Sequence, residues 1–354
     1  MKARAVIGAN FGDEGKGLIV DYLCRTGGEV VVRFNGGSQA GHTVVTPEGL
    51  RHVFSHFGSG TLYGVPTFLS QFFICNPITF FREFQELHAM GVTAEVFAHP
   101  DCLVSTFADM IINQRKELKR GDKAHGSVGI GIHETMQRSA VSELKITMSD
   151  LWNRSTTLPN KLAEICDRYA KFRTGAPIVE PKMTEAFLKE CEAFAQLVHP
   201  AGIGQCKDPI FEGAQGLLLD QNRKEFHPHV THSNTGMANV RTLCQQAGIT
   251  DVDAYYVSRT YLTRHGAGPL PGEDAAMAFE DTTNLPHPWQ GKLRFAPLNP
   301  FDLARRCRDD VGGEFKMVLT HCDQLEPMCT ADLYSYGPTR DNVRGWTDRA
   351  KKFN

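Results

Sequence analysis

Near the start of this chain, the stretch "GANFGDEGKG" sets two carboxylates, Asp13 and Glu14, inside a glycine-rich loop. Gly12, Gly15 and Gly17 let the backbone curl so that its N–H groups face an anion, and Lys16 adds a point charge. The spacing is not that of the GxxxxGK[ST] phosphate loop. A carboxylate at Asp13 repels phosphate, so its use must be different: it can hold Mg²⁺ or take a proton from a substrate. The plain alternative is an acidic turn between strand and helix, with Asp13 as a cap.

A second glycine loop, "FNGGSQAGHTVV", covers residues 34–45. Gly36, Gly37 and Gly41 allow a ligand close to the backbone. His42 can donate a hydrogen bond to charge developing on an oxygen, although a lone histidine is more often a satisfied core or surface residue. Three further stretches suit phosphate or base recognition. "AHGSVGIG" offers Gly126, Ser127, Gly129 and Gly131. "FEGAQGLLLD" places Gln215 at a strand end, where an amide can pair with a base edge. "HVTHSNTG" supplies Thr231, Ser233 and Thr235. The bland reading of each is a turn. His227, His229 and His232 cluster in "HPHVTH", but three histidines in a loop without a carboxylate partner are weak evidence for a metal.

These loops need elements to hold them. "RAVIGA" reads as a buried strand, "KGLIVDYLCRT" as a helix and "EVVVRFNGG" as a second strand. That order is a parallel βαβ unit with ligand loops at the carboxyl ends of its strands. Further strands are predicted at "FFICNP", "DPIFEGA", "VDAYYVSRTYLT" and "FKMVLTHCD". Helices are predicted at "ITFFREFQELHAM", "TEAFLKECEAFAQLV" and "NPFDLARRCRDD", and a long loop at 270–300. The expected fold is α/β, one large domain over residues 1–354, around a mostly parallel central sheet with P-loop-like phosphate-binding loops.

Composition excludes other classes. The chain has 354 residues and a net charge of −2, so it lacks the basic footprint of a nucleic-acid partner. No apolar run reaches the roughly 18 residues that a membrane span needs. The start lacks the apolar centre of a signal peptide. Ten cysteines without a CxxC pair suit reduced thiols in a cytoplasm.

"GDEGKG", "GGSQAGHT", "EGAQGLLLD", "VTHSNT", "TYLTRHGAGPLP", "LTHCDQL" and "YGPTRDN" occur in this order. Together they resemble the adenylosuccinate synthetase family over nearly the whole chain. The resemblance implies a carbon–nitrogen ligase that joins aspartate to C6 of a purine nucleotide, using a nucleoside triphosphate and Mg²⁺. Asp13 would remove the N1 proton, the 6-oxyanion would attack the γ-phosphate, and His42 would stabilise the bridging oxygen. The aspartate amine would then displace phosphate from C6. Asp13 and the carbonyl of Gly41 would hold Mg²⁺. Gly12, Asp13, Glu14, Gly15, Lys16, Gly17, Gly41, His42 and Thr43 would surround the triphosphate, with Asp323 reading its base and Ser335 and Gly337 packing nearby. Asp13, Gln39, Ala40, Ser127, Val128, Gly129, Gln215 and Thr231 would hold the monophosphate. Arg138 would reach its phosphate from a second subunit, which implies a homodimer.

Some residues depart from the family pattern. The arginine cluster that grips aspartate is replaced by "DTTNLPHPWQGKLRF", leaving Thr282, Thr283, Lys292 and Arg294. Gln39 replaces an asparagine, and "LTHCD" replaces "LTKLD". With its shorter length, the chain resembles the bacteriophage branch, which makes 2-aminoadenylosuccinate from dGMP. The expected acceptor is therefore dGMP, with IMP as the alternative. The expected donor is ATP or dATP, with GTP as the alternative. A non-catalytic purine-nucleotide-binding protein is the remaining reading.

Overall fold

A computed structural model of the chain describes residues 2–121, 129–154, 156–285 and 291–347. Its centre is a ten-stranded sheet. From one edge to the other, the strands are Val343–Gly345, Leu333–Ser335, Lys316–Thr320, Asp251–Arg259, Lys2–Gly8, Pro209–Glu212, Val30–Arg33, Thr67–Leu69, Val96–Ala98 and Val198–Pro200. Every neighbouring pair is parallel except the first, which is antiparallel.

The central strands are apolar on both faces because helices cover both. Val6, Val31, Ile210, Val257 and Val318 face the helix Lys16–Arg25 through Leu18, Ile19 and Leu23. On the other face, Ala5, Ile7, Val32, Phe211 and Leu319 meet Val240 and Leu243 of the helix Met237–Ala247, and Leu303 and Cys307 of the helix Pro300–Val311. A third apolar cluster fills the far edge, where Phe80, Phe107, Phe187 and Phe194 come from the helices Pro77–Ala89, Phe107–Arg120 and Pro181–Leu197. Register sets Glu212 level with Val6 on one side and Arg33 on the other. It thereby brings the carboxyl ends of the central strands to one edge.

The predicted βαβ start and the three predicted helices are present. "FFICNP" is corrected: only Ile74–Cys75 is strand, and it pairs with Leu103–Val104 off the main sheet. Asn76 ends it by capping the next helix, its side chain accepting from the Thr79 amide at 3.2 Å, with Pro77 at the first helical position. The sheet strand of this region is the three-residue Thr67–Leu69. "VDAYYVSRTYLT" splits after Arg259, and Leu262–Arg264 turns away to pair with Arg294–Ala296 inside the predicted long loop. The helices Phe107–Arg120 and Met237–Ala247 were not foreseen. The first carries a signal for its start, a capping box between Thr106 and Asp109.

Among the described residues, no helix is long and apolar enough to cross a membrane. All ten cysteines are free thiols.

Candidate active site

A cleft of about 700 Å³ opens over the carboxyl ends of the central strands. It is lined by Gly12 through Gly17, Gln39 through Thr43, Gln215, Thr282, Thr283, Asp323, Ser335 and Gly337. These come from loops far apart in sequence, brought together by the parallel order of the strands. Arg259, Asp281, Thr320 and His321 line it too and were not predicted as site residues.

Three residues at the cleft adopt left-handed backbone without being glycine: Asp13 (φ 57°), Gln215 (φ 57°) and His321 (φ 58°). Such conformations cost about 1–3 kcal/mol each and persist where surrounding structure imposes them. Here the imposing contacts are visible. The Arg259 Nε donates to the Asp13 carbonyl at 2.6 Å. Lys16 Nζ donates to the Gln215 carbonyl at 2.6 Å. Thr260 Oγ1 donates to the His321 carbonyl at 3.3 Å, and Thr320 Oγ1 donates to the Glu14 carbonyl at 2.8 Å.

The two carboxylates of the loop differ in their surroundings. Glu14 is buried, and its Oε1 accepts from the Asn10 amide at 2.8 Å and from Asn10 Nδ2 at 2.7 Å. Its other oxygen is buried without a hydrogen bond. Burial pushes its carboxyl up to about 7, against the opposing pull of Lys16. Glu14 is thus an internal brace of the loop. The Asp13 carboxylate has no hydrogen bond among the described residues and lines the cleft, free for a ligand.

The brace needs a glycine beneath it. A Cβ on Gly8 would lie 2.4 Å from the Gln215 carbonyl, 2.5 Å from Glu14 Oε2 and 2.9 Å from Lys16 Nζ. Gly8→Ala is therefore expected to cost about 1–3 kcal/mol, the range for overpacking. Thermal unfolding of the variant should show a lowered midpoint; an unchanged midpoint would mean that the loop does not close on Gly8 in solution.

His42 starts the strand His42–Val45 and is buried beside Glu212, with Nδ1 2.5 Å from Glu212 Oε1. Ser59 adds its amide at 3.0 Å and its hydroxyl to the same carboxylate. Burial alone would raise the Glu212 carboxyl, but His42, Arg33 and Ser59 outweigh it and hold the group down to about 2. Burial lowers His42 from its ordinary value, with Glu212 opposing. A neutral His42 therefore donates Nδ1–H to an ionised Glu212, leaving Nε2 for a ligand. Glu212 is a site residue that the sequence reading missed; its signal was a carboxylate inside the apolar strand "PIFE".

On one wall of the cleft, Gln39 Oε1 and Gln215 Oε1 are both buried without a hydrogen bond. They flank Gly36: a Cβ there would lie 3.3 Å from Gln215 Oε1 and 3.6 Å from Gln39 Nε2. Ala40, Gly41 and Thr43 follow along the same wall. On the other side are Asp323, Ser335 and Gly337, with the Ser335 hydroxyl donating to the Gly337 carbonyl at 2.7 Å.

Several predicted residues lie elsewhere. Arg138 is fully buried; its guanidinium donates to Asp109 Oδ1 at 2.9 Å, Asp109 Oδ2 at 3.0 Å, the Leu144 carbonyl at 2.5 Å and the Val104 carbonyl at 2.8 Å. In this chain its donors are engaged within its own subunit, whereas the sequence reading expected it to reach a phosphate in a second one. Arg294 donates to Glu273 at 2.7 Å and to the Gly266 and Gly268 carbonyls, so it is also withdrawn from the cleft. Lys292 does not line the cleft. Gly129, held by Gln114 at 3.2 Å, and Thr231, whose amide donates to the Leu219 carbonyl at 2.8 Å, stand outside the lining. Ser127 and Val128 fall outside the described residues. Among the described residues no three His, Cys, Asp or Glu side chains converge for a metal, so the His227, His229 and His232 alternative is not assembled.

The cation that the sequence reading lacked is Arg259. Besides the Asp13 carbonyl, it contacts the Tyr261 hydroxyl at 3.2 Å and Asp281 Oδ2 at 2.7 Å. Asp281 also accepts from the Thr283 and Asn284 amides at 2.9 and 2.7 Å, which fixes the Thr282–Thr283 turn at the cleft.

The model of the adenylosuccinate synthetase family matches residues 5–287. The chain belongs to this family. It is 34% identical over 284 residues to the adenylosuccinate synthetase of Alkalilimnicola ehrlichii, a match covering 76% of this chain and 64% of that one. It is 33% identical over 285 residues to that of Pseudomonas fluorescens, with the same coverage. The chain thus spans a little less than two thirds of these relatives. In fold it is similar to the fully ligated adenylosuccinate synthetase of Plasmodium falciparum (TM-score 0.77, 17% identity, 97% of this chain and 99% of that one). It is also similar to the succinoaminodeoxyadenylate synthetase of cyanophage S-2L, solved with dGMP and dATP (TM-score 0.63, 16% identity, 97% and 95%).

The cleft suits the Mg²⁺ that the family implies. Magnesium takes hard oxygen donors and is commonly held by one or two carboxylates completed by phosphate oxygens and water. Here one free carboxylate, Asp13, shares the cleft with the Gly41 segment, and no all-protein cage is present among the described residues.

Proposed function

We propose that this chain joins the amino group of L-aspartate to C6 of a purine nucleoside monophosphate, with dGMP as the favoured acceptor and ATP or dATP as the phosphoryl donor. Asp13 takes the proton from N1 of the purine lactam. The resulting 6-oxyanion displaces the nucleoside diphosphate from the γ-phosphorus. His42, backed by Glu212, donates at the oxygen where charge builds. The aspartate amine then attacks C6 and expels phosphate. Mg²⁺, taken by Asp13 and the Gly41 carbonyl, would neutralise the phosphate oxygens. Thr282, Thr283 and Arg259 stand where the aspartate carboxylates would bind.

The observation that carries the acceptor is the pair of buried, unpartnered amide oxygens on Gln39 and Gln215. Asp13 takes N1–H in either base, so the difference lies at C2, where guanine offers the two N–H donors of its 2-amino group and hypoxanthine offers none. A buried acceptor left without a partner costs about 1–3 kcal/mol, which corresponds to roughly 5- to 150-fold in kcat/KM. The shared fold of the dGMP-bound phage enzyme is compatible with that choice.

The test offers aspartate, Mg²⁺ and ATP with dGMP, GMP or IMP in turn, and then repeats the series with dATP and GTP. The dGMP product should form fastest, and Gln39→Ala should narrow its lead over IMP. A tenfold preference for IMP would make this chain an ordinary adenylosuccinate synthetase. No product from any pair would leave a nucleotide-binding protein without this activity.

A further inference from the structure

The segment Glu280–Leu285 lines the cleft, yet no helix or strand includes it. Among the described residues, no backbone-to-backbone hydrogen bond holds it either. A stretch without such bonds keeps its place through side chains alone.

Three side chains of the body supply the hold. Arg259 pairs with Asp281 Oδ2 at 2.7 Å. The Tyr261 ring stacks on Phe279, just before the segment, with centroids 3.9 Å apart and planes tilted by 7°. Gln324 Nε2 donates to the Glu280 carbonyl at 2.7 Å.

Buried Tyr261 joins the three. Its hydroxyl accepts from Arg259 Nη1 at 3.2 Å and donates to Gln324 Oε1. Both ends of the Gln324 amide are therefore committed, one to a fixed phenol and the other to the segment. The side chain acts on the cleft through these neighbours. The backbone beneath it is fixed independently. The Gln324 amide donates to the His321 carbonyl at 3.1 Å, and Thr260 Oγ1 donates to the same carbonyl at 3.3 Å. Asp323, which lines the cleft next to it, thus keeps its place without the Gln324 side chain.

We propose that Gln324 is a positioning residue for the amino-acid substrate: by holding the Glu280 carbonyl, it keeps the Thr282–Thr283 turn against the cleft. This rests on the proposed function only in naming aspartate as the molecule that the turn receives. Gln324→Leu removes both side-chain hydrogen bonds at similar volume. If the turn then stands in place for about a tenth of the time, the apparent KM for aspartate rises about tenfold, because the ligand meets a competent site only in that fraction.

Steady-state kinetics and limited proteolysis of the full chain test it. In Gln324→Leu the KM for aspartate should rise about tenfold, while kcat at saturating aspartate and the KM for each nucleotide stay within about twofold of the parent. Chymotrypsin cleavage after Phe279, read by mass, should speed up by roughly the same factor, since cleavage follows the fraction of time for which the segment is released. An equal rise in all three KM values would make Gln324 a general support of the fold and overturn the inference. An unchanged KM for aspartate in an active enzyme would overturn it too, whatever the cleavage rate. The proteolysis needs no turnover. If the parent forms no ligation product but the variant is cleaved faster, the tether stands and the proposed function falls. If product forms and the variant matches the parent in both readouts, the proposed function stands and the tether falls.

Discussion

Replacing Asp13 by Asn is expected to lower the ligation rate by at least ~10²-fold, the lower end for a missing acid–base group. The amide cannot take the N1 proton and is a poor Mg²⁺ ligand. The backbone of the loop should survive, because its left-handed turn is held through the Asp13 carbonyl by Arg259 and not through the side chain. Asparagine also tolerates that conformation well. Steady-state kinetics with a thermal unfolding control separate the two effects. Near-normal turnover with an intact fold would remove Asp13 from the chemistry.

Glu212→Gln should cost about as much, ~10²–10⁴-fold in kcat, with little change in the KM for either nucleotide. Glu212 is fully buried behind His42, so a ligand meets the imidazole and not the carboxylate. The glutamine can present N–H to Nδ1, which reverses the tautomer, and it removes the negative charge that favours a protonated imidazole. The pH profile should change as well as the rate, an effect that a mere packing defect would not produce. Stability carries a second signature. The Glu212 carboxyl sits below its ordinary value, so the unfolded chain binds its proton more readily. Its contribution is present above about pH 4.3 and fades as the pH falls towards about 2. The variant should lack that slope. A kcat within a few-fold of the parent would place the function of Glu212 in structure alone.

Much of the site was legible in the sequence because glycine-rich loops carry their physics locally. The turn before Lys16, the close approach at Gly36 and the strand–loop–helix order follow from residues that are neighbours in the chain. The same is true of the helices that begin at Pro77, Pro181 and Pro300, each with proline in its first turn. The short strand Thr67–Leu69 was not legible. Three residues give no measurable alternation, and sheet pairing alone makes them a strand.

The tertiary structure decided what each side chain was free to do. Asp13 and Glu14 are adjacent in sequence and chemically alike, yet Asn10 and burial make one a brace while the other stays open to the cleft. Glu212 becomes the partner of His42 only because its strand runs beside Val30–Arg33, 170 residues away from His42 along the chain. Arg138, Arg294 and Arg259 are three arginines that composition cannot tell apart. Asp109 consumes the first, Glu273 and two carbonyls hold the second away, and only Arg259 keeps its place at the cleft wall. Local sequence determined the loops and the chemistry they could hold. Long-range packing decided which charges remained available, because the partner that satisfies or spares a buried charge is set by the fold and not by the residue beside it.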